Sequence, residues 1–147
     1  MPIALGSRAH LDPLCIFYQM ITLQAAFYVC LTLIVLTMST FTQSSMRLVE
    51  LFRTNDGPIP WELLVAHLAT AVVMGGALFP HVVERSKRCI DFCITIYFWH
   101  AILSACINGF PFSALWWGMT ATSFGVTLAG AMTGCRYREL QDIVLVV

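Results

Sequence analysis

Charged residues in this chain fall in clusters, and the clusters are separated by long apolar runs. No Asp, Glu, Lys or Arg occurs from Pro13 to Met46, from Leu63 to Val83, or from Phe92 to Cys135. Crossing the hydrocarbon of a bilayer takes about 20 mostly apolar helical residues. The first run holds one such helix, about residues 14–38, followed by a polar stretch from Ser39 to Ser45. The second holds one over about 61–82. The third is too long for one span. It is interrupted at Asn108-Gly109-Phe110-Pro111, a turn dipeptide followed by a proline. That break predicts two helices, about 89–107 and 112–134. Spanning strands would alternate polarity in segments of about ten residues, and these runs do not. Soluble bundle helices would each carry a polar face, and the first and third predicted helices have little of one. The pattern therefore predicts an all-α membrane protein, a single polytopic domain over 1–147 with four transmembrane helices and a tail at 135–147. The first apolar run is too long for the core of a signal peptide, and no small-x-small cleavage pattern precedes a soluble domain, so it reads as a retained anchor.

Composition agrees. Apolar residues are 59% of the chain and charged ones 11%, against roughly 45–50% and 25% in soluble domains. So few charges cannot clothe a soluble surface. The formal net charge is zero, which gives no basic field for nucleic acid. The placement of the eight Lys and Arg residues sets the orientation, because positive loops stay in the cytosol. Four spans put both termini on one side. That side carries Arg8, then Arg85, Lys87 and Arg88, then Arg136 and Arg138; the other carries Arg47 and Arg53. Both termini are expected in the cytosol. The first loop is then lumenal. It contains Met46-Arg47-Leu48-Val49-Glu50-Leu51-Phe52, read as a short interfacial helix or the frayed end of the first span. It closes on the rigid turn Asn55-Asp56-Gly57-Pro58-Ile59-Pro60.

One stretch has the ingredients of a chemical site: Arg88 to His100, RCIDFCITIYFWH, with Cys89, Asp91, Cys93 and His100. On an ideal helix Cys89, Cys93 and His100 lie within about 40° of one another, while Asp91 points away from His100. A metal site would need ligands from other helices. His67, His81 and Cys106 are available, but no metal-ligand spacing joins them. No C-x-x-C pair exists among the six cysteines, which argues against a zinc ribbon or a dithiol redox site; small apolar packing is the simpler reading. Asp91 reads as an acidic residue in the first turn of the third helix, complementing the helix dipole. His100 lies half way along a span, where a polar side chain usually bonds to another helix. Gln19 and Gln24 in the first span read the same way. Gly118, Gly125, Gly130 and Gly134 make the last span rich in small residues, and Gly130 and Gly134 form a G-x-x-x-G pair suited to close packing. Trp116 and Trp117 fit an aromatic belt at the lumenal interface. No nucleophile elbow, phosphate loop or dinucleotide fingerprint is present, so neither an enzyme nor a bound cofactor is expected. A proton-coupled antiporter of the small multidrug kind would need a carboxylate at depth, and none is there; Glu62 lies at a helix end.

Four segments in order carry a family resemblance. They are DPLCIFYQMITLQAAFY, with Asp12, Pro13, Gln19, Gln24 and Tyr28; RSKRCIDFCITIYFWH, with Asp91 and His100; FPFSALWW, with Pro111, Trp116 and Trp117; and CRYRELQDI, with Glu139 and Leu140. The chain resembles the Sys-one family of Golgi integral membrane proteins over most of its length. It departs from the family at Ala131, Met132 and Thr133, where an acidic residue is usual, and in its short apolar end. The resemblance implies a multi-pass protein of the trans-Golgi membrane without catalysis. It implies a receptor for an Arf-related small GTPase with an acetylated N-terminus, and golgin tethers as indirect partners, in traffic from endosomes to the trans-Golgi network. The surfaces available to the GTPase would be Arg85, Lys87 and Arg88 in one loop and Arg136 and Arg138 in the tail; the loop charges alternatively serve only to set topology. The reading from another class is a small-solute or proton-coupled transporter, with His100 and the glutamines lining a path.

Overall fold

The computed structural model describes residues 13–43, 48–54, 59–83 and 86–144, and all of its regular structure is helical. Helix α1 runs Pro13–Thr42. A 3-10 turn follows at Leu48–Phe52. Helix α2, Trp61–Val73, passes through a π-helical turn, Met74–Leu78, into the short α3, Phe79–Val82. Helix α4 spans Ser86–Asn108 and α5 Ala114–Val144.

Helix α1 continues through the polar stretch expected to end it. The hydroxyls of Thr37, Ser39, Thr40 and Thr42 donate to carbonyls three or four residues earlier, at 2.7–3.0 Å. Such back-bonding satisfies a hydroxyl without leaving the helix. The helix stops where Gln43 turns to φ 53°, the left-handed conformation that ends many helices.

The second rod bends its hydrogen-bond pattern around a proline. Pro80 has no N–H, and its ring would crowd the carbonyl of Gly76 in a regular helix. Just before it the chain widens by one residue: the N–H of Phe79 reaches Met74 O instead of the carbonyl four residues back. The π turn keeps one continuous rod from Trp61 to Val82. The expected Asn-Gly turn joins α4 to α5. Gly109 sits at φ 88°, and its N–H bonds to Ala105 O at 3.0 Å. The 3-10 turn is tied to this end of the bundle: Asn108 Nδ2 donates to Phe52 O at 2.7 Å, and the Thr54 hydroxyl donates to Gly109 O at 3.0 Å.

Packing fixes the relative directions. Helix α5 is antiparallel to α4, since Cys89 meets Cys135 and Tyr97 meets Thr127. It is parallel to the α2–α3 rod, since Gly75 meets Thr127 and Pro80 meets Gly134. Buried positions recur every fourth residue, at Leu23, Phe27, Leu31 and Val35 on α1 and at Met119, Ser123, Thr127, Ala131 and Cys135 on α5. The α5 stripe is mostly small, so α5 lies close against the second rod. The G-x-x-x-G pair thus packs within the chain. A Cβ on Gly130 would lie 3.0 Å from the backbone carbonyl carbon of Gly75, and one on Gly134 would strike the Pro80 ring. Gly118 and Gly125 face open space.

Large apolar side chains cover much of the outside of the bundle. Phe17, Leu33, Phe98, Trp99 and Leu115 are all exposed, which water would penalise and lipid accepts. Three rods, Pro13–Thr42, Trp61–Val82 and Arg88–Asn108, are long and apolar enough to cross a membrane. Helix α5 is long enough, but Thr120, Thr122, Ser123, Thr127, Thr133 and four glycines dilute its hydropathy.

Candidate functional site

Two regions collect the residues singled out by sequence: the end of the bundle where α4 begins, and the centre around His100.

At the first, α4 starts at Ser86, before the predicted boundary, so Asp91 falls in its second turn. The dipole attraction expected for it fades beyond the first turn. Asp91 is exposed, and its backbone carbonyl accepts the Thr95 hydroxyl at 2.8 Å. Cys89 and Cys93 point inward and are fully buried. The Cys89 and Cys135 sulfurs lie 3.1 Å apart, and the Cys135 thiol donates to Val83 O at 3.5 Å. These contacts join the start of α4, the end of α3 and the last third of α5. The Arg138 guanidinium adds a tie, donating to Pro80 O near the end of α3, where a carbonyl has no helical partner.

The consequence is a shared end of the bundle. Arg88, half-buried at the start of α4, shares this end with Arg136 and Arg138, exposed on α5. Arg85 lies outside the described residues, as does the side chain of Lys87. Helix α5 has 31 residues, about 46 Å at 1.5 Å each, against a hydrocarbon thickness of about 30 Å. Its charges begin at Arg136, so this is the end that projects beyond an apolar layer. Glu139 is half-buried there, whereas Tyr137 and Leu140 are 64% and 62% exposed. Beyond the apolar part of α5 the two arginines are balanced by Glu139 and Asp142, and Tyr137 and Leu140 give this end an exposed apolar component.

At the centre, His100 is fully buried and makes no hydrogen bond to another helix among the described residues, contrary to the expected interhelical bond. It sits in a cage of rings instead. Phe27 and His67 approach edge-on at 5.6 and 5.3 Å between centroids, Phe52 is tilted at 5.9 Å, and Trp116 stacks at 6.3 Å. This corrects the reading of the tryptophan pair. Trp116 is 1% exposed and belongs to the core; only Trp117, 46% exposed, faces outward. The Trp117 indole N–H donates to Pro111 O at 3.0 Å, fixing the turn. Gln24 is half-buried on α1, and its amide forms no bond across helices; Gln19 Oε1 is also without a partner. Pro13 opens α1 and is exposed, and Asp12 lies outside the described residues. His81 and Cys106 are exposed, whereas His100 is buried. Among the described residues no three His, Cys, Asp or Glu side chains form a metal-binding group.

Sequence reasoning missed Gly75, Pro80, Tyr97 and Thr127. Tyr97 Oη and Thr127 Oγ1 share a 2.8 Å hydrogen bond between α4 and α5. The Gly75-Gly76 dipeptide followed by Pro80 was the available signal for a close helix crossing.

These features define a helical integral membrane protein whose polar groups gather at one end and in a buried centre. The profile of the SYS1 family, described as an integral membrane protein linking to the trans Golgi network, matches residues 6–145, and the chain belongs to that family. It is 28% identical over 140 residues to a protein named Protein SYS1 homolog from Dictyostelium discoideum, covering 91% of this chain and 59% of that one. It is 29% identical over 144 residues to the Protein SYS1 homolog of Nematostella vectensis, covering 95% and 92% respectively. The chain thus spans about three fifths of the first relative and nearly all of the second. No solved structure matches it.

Proposed function

We propose that this protein is a trans-Golgi membrane receptor that recruits an Arf-related small GTPase for vesicle traffic between endosomes and the trans-Golgi network. Four helices cross the bilayer in this reading, α5 included, with both termini in the cytosol. The six Lys and Arg residues on that side against two on the other support the orientation.

The observation that carries the reading is the shared end. Basic residues separated by some fifty positions in sequence, Arg88 and Arg136, stand at one end of the bundle, beside exposed Tyr137 and Leu140. An acetylated amphipathic helix binds a bilayer weakly by itself, and stable anchoring takes two signals. This end offers the second: the apolar side chains of Tyr137 and Leu140 for the helix, and the guanidinium groups of Arg88 and Arg136 for individual acidic groups flanking it. Golgin tethers would arrive through the GTPase.

Co-purification tests it. The protein is captured in mild detergent and the Arf-related GTPase is sought in the eluate. Capture of the GTPase is expected from wild type and loss from Arg88→Glu/Arg136→Glu. A variant that is present in the Golgi and still recruits the GTPase normally would sink this end as the contact.

A further inference from the structure

Two imidazoles, those of His67 and His100, meet at the centre of the bundle. His67 Nε2 and both nitrogens of His100 are buried without a hydrogen-bond partner among the described residues. Tyr28 Oη, on a ring 6.1 Å from that of His100, is likewise buried and without a partner, as are the Ser104, Thr120 and Ser123 side-chain oxygens on α4 and α5. The serine and threonine hydroxyls have a fallback, since rotation brings each to the carbonyl one turn earlier in its own helix; the Tyr28 phenol has none. An imidazole has no such option.

A direct bond between the two rings does not close the account. With centroids 5.3 Å apart, a turn of one ring could join His67 Nε2 to one nitrogen of His100. The second nitrogen of His100 would remain, among the rings of Phe27, Phe52 and Trp116 and beside Tyr28, whose own hydroxyl is equally unpartnered, so that one small molecule could serve both. Buried polar atoms in folded proteins are bonded in the great majority of cases, to protein or to ordered water. Within lipid there is no bulk water to take over.

The missing partner must be uncharged. No carboxylate or thiolate joins the two histidines in a group of three among the described residues, so a buried cation would stand uncompensated. It must also donate and accept, because a neutral imidazole presents one N–H and one lone pair. It must be small, because rings close around it. We infer that the His67–His100 pair holds internal water, an ordered polar site inside the membrane-embedded bundle that joins α2, α4 and the Trp116 face of α5.

Radiolytic hydroxyl-radical footprinting of the full chain in nanodiscs tests this. Bound water generates radicals in place and modifies the side chains beside it, even where bulk solvent has no access. Phe27 and Trp116 are the reporters; Phe79 and Phe92, equally buried in the apolar part of the core, are the dry references. After correction for intrinsic reactivity, modification at Phe27 and Trp116 is expected several-fold faster than at Phe79 and Phe92. Equal, slow rates at all four would overturn the proposal. The wild-type measurement decides by itself. Where His100→Phe folds, labelling at Trp116 should fall to the Phe79 level, and labelling that persists unchanged would move the water away from His100 and refute the assignment.

Discussion

Alanine at Gly75 places a methyl group where two helices already touch. The added carbon would lie 2.5 Å from the carbonyl oxygen of Thr127 and 3.1 Å from its Cα, whereas ordinary contact begins near 3.4 Å. The obstacle is the backbone of α5, which cannot swing aside as a side chain can. Relieving the overlap means parting the second rod from α5 by roughly 1 Å, enough to forfeit much of the dispersion energy along the seam. The same movement opens the contact between Gly75 and Gly130. Overpacking of this kind costs about 1–3 kcal/mol. Alanine is also the better helix former by about 1 kcal/mol, so the comparison needs a control that carries only that gain. Gly125→Ala is such a control, because its Cβ would meet nothing within 4 Å. The difference between the two variants should be about 1–3 kcal/mol, roughly 5-fold to 150-fold in the unfolding equilibrium. Reversible unfolding in mixed micelles, followed by helix signal against denaturing detergent, measures it. Gly130→Ala, with its closest contact at 3.0 Å, should fall between them. Identical midpoints for Gly75→Ala and Gly125→Ala would refute the close crossing of these rods.

Other contacts make separate claims. Tyr97→Phe removes the 2.8 Å bond to Thr127 and should cost about 0.5–1.5 kcal/mol; a double-mutant cycle with Thr127→Val should show coupling, and strict additivity would mean that the bond contributes nothing. Trp116→Ala empties a core position and should cost about 3–5 kcal/mol, well above Trp117→Ala; equal losses would return both rings to the interface. Asn108→Ala frees the carbonyl of Phe52 and should speed amide exchange over residues 48–54, with unchanged exchange counting against the tie. Leu140→Asp should weaken GTPase capture while leaving the unfolding midpoint within about 0.5 kcal/mol of wild type, as exposed positions usually do.

Much of this architecture is written in one dimension. Helices in apolar surroundings satisfy their own backbone, so a run of uncharged residues long enough to cross a bilayer declares a rod without reference to anything else. The break at Asn108 to Pro111 is equally local, resting on a turn dipeptide and a left-handed glycine. The charge clusters mark where the apolar part of a rod ends but not where its helix ends, since α5 runs on through the expected tail to Val144. What the linear pattern cannot carry is which side of each rod meets which neighbour. Trp116 and Trp117 are adjacent and chemically identical, yet one lies in the core and the other faces outward. His100 and His67 stand on different helices, and nothing in either segment names the other. Gly130 and Gly134 advertised close packing, but their partners, Gly75 and Pro80, were set by the register of α5 against the second rod. That register follows from the small residues along one stripe of α5 and from the π turn that lets the helix pass Pro80. Apolar length acts one segment at a time, whereas contact depends on two surfaces fitting together, and only the folded bundle brings both surfaces to one place.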